Sequence, residues 1–96
     1  MNYINDKSGN GGAIRLNNET EEIGRLTYTI LPEDNKLIIS YVLVHHKFEG
    51  RGMGKYLVDE AVKFARDNQW KVYPHCSYAR SVMNRMNDVD DVLLSR

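Results

Sequence analysis

Residues 49–55 read Glu-Gly-Arg-Gly-Met-Gly-Lys, and this stretch carries the strongest chemical signal in the chain. Alternating glycines let a backbone adopt conformations closed to other residues and let a ligand approach closely. Where such a loop opens a helix, successive N–H groups and the positive end of the helix dipole form an anion site. Arg51 and Lys55 add cationic side chains at that mouth. Gly50, Arg51, Gly52, Met53, Gly54 and Lys55 are therefore candidates to hold a phosphate or pyrophosphate. Spacing excludes two common phosphate loops. A P-loop needs Gly five residues before its Gly-Lys pair and Ser or Thr after it, but Glu49 and Tyr56 occupy those places. A dinucleotide fingerprint needs a third Gly where Lys55 or Leu57 stands. The plainer alternative for these glycines is a tight turn that eases packing.

Cys76 is the one cysteine. It lies between a strand-like run and a helical one, where a helix dipole would stabilise its thiolate and make it a nucleophile. The alternative is a small buried residue, a common fate of free cysteine. A lone thiol forms no internal disulfide and suits a reducing compartment. One Cys and three His, two of them adjacent, do not supply the four spaced ligands of a structural zinc, so no metal is expected.

The elements that must position these residues follow from periodicity. Met1 to Lys7 reads as a short first strand, closed by a turn at Ser8-Gly9-Asn10-Gly11-Gly12. Ala13 to Leu16 alternates in the strand period and stops at Asn17-Asn18. Ile23 to Leu31 places Ile23, Arg25, Thr27 and Thr29 on one face and Gly24, Leu26, Tyr28 and Ile30 on the other. Pro32-Glu33-Asp34-Asn35 is a turn, and Leu37 to Val44 is a strand rich in β-branched and aromatic residues. These strands predict an antiparallel meander. Leu57, Val58, Ala61, Val62 and Ala65 then recur at helical spacing up to about Asn68, with Asp59 and Lys63 spaced as an ion pair. Lys71 to Pro74 returns as a strand, and Ser77 is placed to cap a helix over Tyr78 to Met86, with Tyr78, Val82 and Met86 on one face. Val89 to Leu94 is a last strand or a docked tail. Met53, Met83 and Met86 read as core filler, and Trp70 as a cap on the core. A strand-helix-strand unit over residues 37–76 implies a parallel pair joined by a crossover. The fold class is α/β (α+β), with a mixed, mostly antiparallel sheet and two helices.

At 96 residues the chain forms one domain, 1–96, and its 13 basic and 13 acidic residues cancel. That balance argues against binding driven by whole-molecule attraction to nucleic acid or an anionic membrane. The polar stretch Met1 to Gly12 is no signal peptide, and no run approaches the ~20 apolar residues of a membrane span. The expectation is a soluble, cytoplasmic protein, monomeric rather than oligomeric.

The order strand, Gly-x-Gly-x-Gly, amphipathic helix, strand resembles the GNAT superfamily of acetyl-CoA-dependent N-acetyltransferases, whose loop reads Gln/Arg-x-x-Gly-x-Gly/Ala. Gly52 and Gly54 match the small positions, and Glu49 stands where Gln or Arg is expected. The likeness is greatest to small, stand-alone YjdJ-type members, which carry Lys-Val/Ile-x-Pro-x-Cys-Pro/Ser-Phe/Tyr; this chain has Lys71-Val72-Tyr73-Pro74-His75-Cys76-Ser77-Tyr78. The resemblance covers nearly the whole chain and implies a GNAT-like (acyl-CoA N-acyltransferase) fold.

It further implies acetyl-CoA as cosubstrate, with pantetheine against a splayed strand at Ser40 to Val44. Leu43 and Val44 would supply backbone contacts, residues 50 to 55 would hold the pyrophosphate, and Tyr78 joins the cofactor-binding residues. Cys76 would line the acetyl site. The subgroup's His-Thr pair is replaced by Tyr41-Val42, so His45 or His46 is left as general base and Tyr41 as proton donor to the thiolate. Solvated loop histidines are the alternative. His75 alternates with Cys76 and faces away from it. The implied function is transfer of acetyl to an amine on a small molecule or an exposed macromolecular group. The competing readings are a CoA-binding module with weak catalysis and a domain for a nucleotide or RNA phosphate.

Overall fold

In a computed structural model, which describes residues 1–94, five strands form one sheet in the order β1-β2-β3-β4-β5. The strands are β1 (Asn2–Ser8), β2 (Gly11–Asn17), β3 (Glu22–Leu31), β4 (Lys36–Val44) and β5 (Lys71–Pro74). The first four pair antiparallel, and β5 lies parallel to β4. Helix α1 (Met53–Asp67) connects β4 to β5, and α2 (Ser77–Asn84) follows β5. Gly9, at a positive φ of 58°, closes the first hairpin without the steric penalty a side chain would meet.

The core fills one face of the sheet. Ile14, Leu16, Leu26, Tyr28, Ile30, Leu37 and Ile39 are buried there against Leu57, Val58, Ala61, Val62 and Ala65 of α1. The opposite phase of β2 and β3 carries Arg15 and Thr29, both exposed. Val89 and Val92 are buried, and Leu93 makes a single parallel bridge to Val72, so the segment after α2 is a docked tail. Arg66 and Lys71 pin that tail through Asp91 and the Asp88 carbonyl.

The structure corrects the sequence expectations at four places. Ile23 is buried despite its phase, because Leu16 pairs with Gly24 and Asn17 with Glu22, leaving Ile23 as the extra residue of a bulge. Helix α2 begins at Ser77 with Cys76 as its N-cap and no side-chain cap bond, so Ser77 is inside the helix rather than its cap. Its buried residues are Ala79, Val82 and Met83, while Tyr78 turns away from the core towards the start of α1. Asp59 pairs back with Lys55 at 3.2 Å, and Lys63 approaches Asp67 instead. Met53 and Trp70 are partly buried against the core; Trp70 stands edge-on to Phe64 at 5.3 Å.

Candidate active site

A second bulge shapes the site. Thr27 pairs with Tyr41 and Tyr28 with Ile39, so Ser40 is the unmatched residue of β4. Beyond it the two parallel strands part. Pairing between β4 and β5 ends at Ile39 and Pro74, while β4 runs on for five residues, Ser40 to Val44. At the apex of this fork the N–H groups of His75 and Cys76 both donate to the Ile39 carbonyl, at 3.0 and 3.3 Å. From there to Val44 the β5-side edge of β4 has no strand partner among the described residues. A peptide-like ligand could supply the missing hydrogen bonds. Gly24 lets β3 approach the far end of β4; a Cβ there would lie 3.1 Å from the Val44 Cα.

The fork opens into a cavity of about 390 Å³ that continues to the glycine loop. Tyr41, Leu43 and Val44 of β4 line one side. Gly50, Gly52, Met53 and Gly54 line the loop end, and Tyr78 of α2 closes the other side. Gly50 and Gly52 have φ of 80° and 72°, the left-handed region, and Gly52 is the N-cap of α1. A Cβ at either would meet nothing within 4 Å, so the space above the loop is open. No acidic residue occupies the first turn of α1, and no side chain among the described residues caps it. The N-terminal amides of α1 thus face an open mouth, an arrangement suited to an anion.

The other sequence candidates lie around this cavity rather than in its wall. Arg51 holds its guanidinium 5.9 Å from the Phe48 ring centroid, and Lys55 is paired with Asp59. Cys76 is half-buried at the fork apex. His45 places Nε2 2.6 Å from Oε1 of Glu22, a carboxylate also approached by Arg25 at 3.2 Å and Arg15 at 3.7 Å. His75 stands beside Tyr73 on the β5 side, with ring centroids 6.4 Å apart.

Sequence reasoning missed two contributors. Phe48, buried at the foot of the loop, lines the cavity; an aromatic between Lys47 and Arg51 was its only signal. The Gly54–Tyr78 contact had none: a Cβ at Gly54 would lie 2.6 Å from ring carbons of Tyr78.

A family model for GCN5-related N-acetyl-transferases matches residues 13–92. Among solved structures, a GCN5-like protein from Staphylococcus aureus superposes with a TM-score of 0.70 at 26% identity, covering 97% of this chain and 89% of that one. A ribosomal-protein-alanine N-acetyltransferase from Brucella melitensis gives a TM-score of 0.69 at 18% identity, covering 82% and 62%. An aminoglycoside acetyltransferase from an uncultured soil metagenomic sample, in complex with sisomicin, gives 0.70 at 18%, covering 84% and 62%. The chain therefore spans less than two thirds of the length of the latter two. No curated protein matches it. No described helix is long and apolar enough to cross a membrane.

Proposed function

Because the chain belongs to the GCN5-related N-acetyltransferase family, whose members use acetyl-CoA, we propose that it moves an acetyl group from acetyl-CoA to a primary amine. The observation that carries this reading is the fork: an unpaired strand edge running into a glycine-rich helix start. The pantetheine arm, itself built of amides, would take the place of a strand beside Ser40–Val44, bonding the main chain of Leu43 and Val44. The pyrophosphate would rest on the amides of residues 50–55, with Arg51 and Lys55 beside it. That alignment brings the thioester to the fork apex, next to Cys76.

Transfer requires a neutral amine nitrogen to attack the thioester carbonyl carbon. The C–S bond then breaks, the thiolate takes a proton and the nitrogen gives one up. Main-chain N–H groups of the strand would steady the developing oxyanion. Tyr41 and Tyr78 both line the cavity. The hydroxyl of Tyr78 makes no hydrogen bond among the described residues, and its ring is held against Gly54, so we assign it the proton for the thiolate, with Tyr41 in reserve. The acceptor would enter past Tyr41 and Tyr78, both exposed where they line the cavity, which suits an exposed group on a macromolecule or an unselective small amine. The single thiol suits the reducing cytoplasm.

One observation favours a second reading, a domain that holds acyl-CoA with little turnover: among the described residues no imidazole lines the cavity, and His45 is bound to Glu22. An acetyl-CoA titration followed by amide NMR, with thiol release measured over a panel of amines and peptides, separates the two. Shifts in residues 40–44 and 50–55 with thiol release support the enzyme. Shifts alone support the binding module, and no shifts sink both.

A further inference from the structure

The cations at the mouth of the cavity are mostly committed. Lys47 Nζ donates to Glu21 at 2.8 Å, Lys55 Nζ donates to Asp59 at 3.2 Å, and His45 lies against Glu22. Arg51 makes no ion pair among the described residues and stacks on Phe48. Among the described residues, the one charged side chain in the cavity wall is an acid, Glu49, immediately before the glycines. Its Oε1 lies 2.8 Å from Nδ1 of His46, whose side chain is fully exposed. A carboxylate beside a cradle of amides opposes an incoming pyrophosphate. An imidazolium on that carboxylate offsets the opposition, and a neutral imidazole does not.

We propose that Glu49 and His46 make binding of the pyrophosphate end of CoA proton-linked, with affinity highest while His46 carries a proton. This rests on the reading that residues 50–55 receive that pyrophosphate. Lysine and arginine side chains and pyrophosphate diesters keep their charges across the neutral range, whereas imidazole, thiol and α-amino groups are the types that change theirs; of these, His46 alone among the described residues contacts the carboxylate of the cavity wall. His45 faces Glu22 and His75 faces Tyr73, both outside the cavity wall. The complex favours the protonated pair, so binding takes up a proton and weakens as pH rises through the imidazole range.

The test uses dephospho-CoA, which has the pyrophosphate but lacks the phosphate monoester that titrates near pH ~6. Calorimetric affinities are measured at about pH 5.5 and about pH 8.5, on either side of the imidazole range, for the intact chain, Glu49→Gln and His46→Gln. The intact chain should bind roughly fivefold more tightly at the lower pH, the scale of one screened charge nearby. Glu49→Gln should bind more tightly than the intact chain at both pH values, because the opposing charge is gone, and His46→Gln should show the weaker value at both. Equal affinity of the intact chain at both pH values, or pH dependence surviving undiminished in His46→Gln, overturns the linkage while leaving the acetyl-CoA reading in place. No binding by any of the three at either pH overturns both.

Discussion

The ring of Tyr78 lies across Gly54, joining the start of α2 to the first turn of α1. Gly54 is buried, and only the lack of a side chain there leaves room for the phenol. Tyr78 itself is 43% exposed, so it can swing outward when pushed.

Gly54→Ala should therefore separate stability from activity. Alanine favours a helix interior over glycine by about 1 kcal/mol, which offsets the cost of moving one half-exposed ring. The thermal midpoint should stay nearly constant while kcat falls at least ~10-fold, the scale of a lost proton donor. A loss of both together would mean that the contact serves the fold alone.

Tyr78→Phe keeps the ring on Gly54 and removes only the hydroxyl. Its kcat should drop by roughly 10- to 100-fold with CoA affinity unchanged, whereas Tyr41→Phe should change kcat by less than about threefold. The reverse ranking in steady-state kinetics would move the proton donor to β4.

At Gly52 the cost of a side chain is purely conformational, since nothing lies within 4 Å of the added carbon. Gly52→Ala, at φ 72°, should lose about 1–2 kcal/mol of stability in urea denaturation and weaken CoA binding through the distorted loop. Unchanged affinity would show that the loop amides do not hold the ligand.

Cys76→Ala tests the fork apex. CoA affinity should hold, because the partners proposed for the ligand are main-chain groups, while any acetyl label on the intact chain should vanish. Intact-mass measurement after incubation with acetyl-CoA reads this directly; a label that persists in the variant places it elsewhere.

The tail supplies a pH prediction. The Arg66 hydrogen bond, aided by the nearby Arg66 and Lys71 charges, holds the Asp91 carboxyl below its ordinary value. A carboxyl lowered in the folded chain stabilises it above the unfolded pKa and ceases to do so as pH falls through the folded one. Stability should thus decline as pH drops below about 4, and Asp91→Asn should flatten that part of the profile. Thermal midpoints between about pH 2 and about pH 6 provide the check.

The meander, the long helix and the glycine loop were legible because each is local. Alternation in Leu26, Tyr28 and Ile30, 3.6-fold spacing from Leu57 to Ala65, and glycine at a helix start all act within a few residues. The bulges at Ile23 and Ser40 were not legible, since a bulge is a property of two strands in register and neither strand encodes it alone. Ser77 misled for a related reason: a serine at a strand-to-helix junction resembles a cap, but pairing of His75 and Cys76 with the Ile39 carbonyl starts the helix one residue earlier. Of the site, the glycines and β4 residues could be assembled from sequence, whereas Phe48 and the Tyr78–Gly54 contact needed the helices set side by side.

The free edge of Ser40–Val44 consists of peptide groups, and every residue type except proline carries the same donor and acceptor. A recognition surface of that kind has no side chain whose loss would abolish it. Apart from Val42 and Val44, which pack against the core, drift along that edge should be nearly neutral while the strand stays extended, and selection should fall instead on the glycines that open the loop. A lineage of such chains can exchange most of its side chains and keep its ligand, its identity carried by shape rather than spelling.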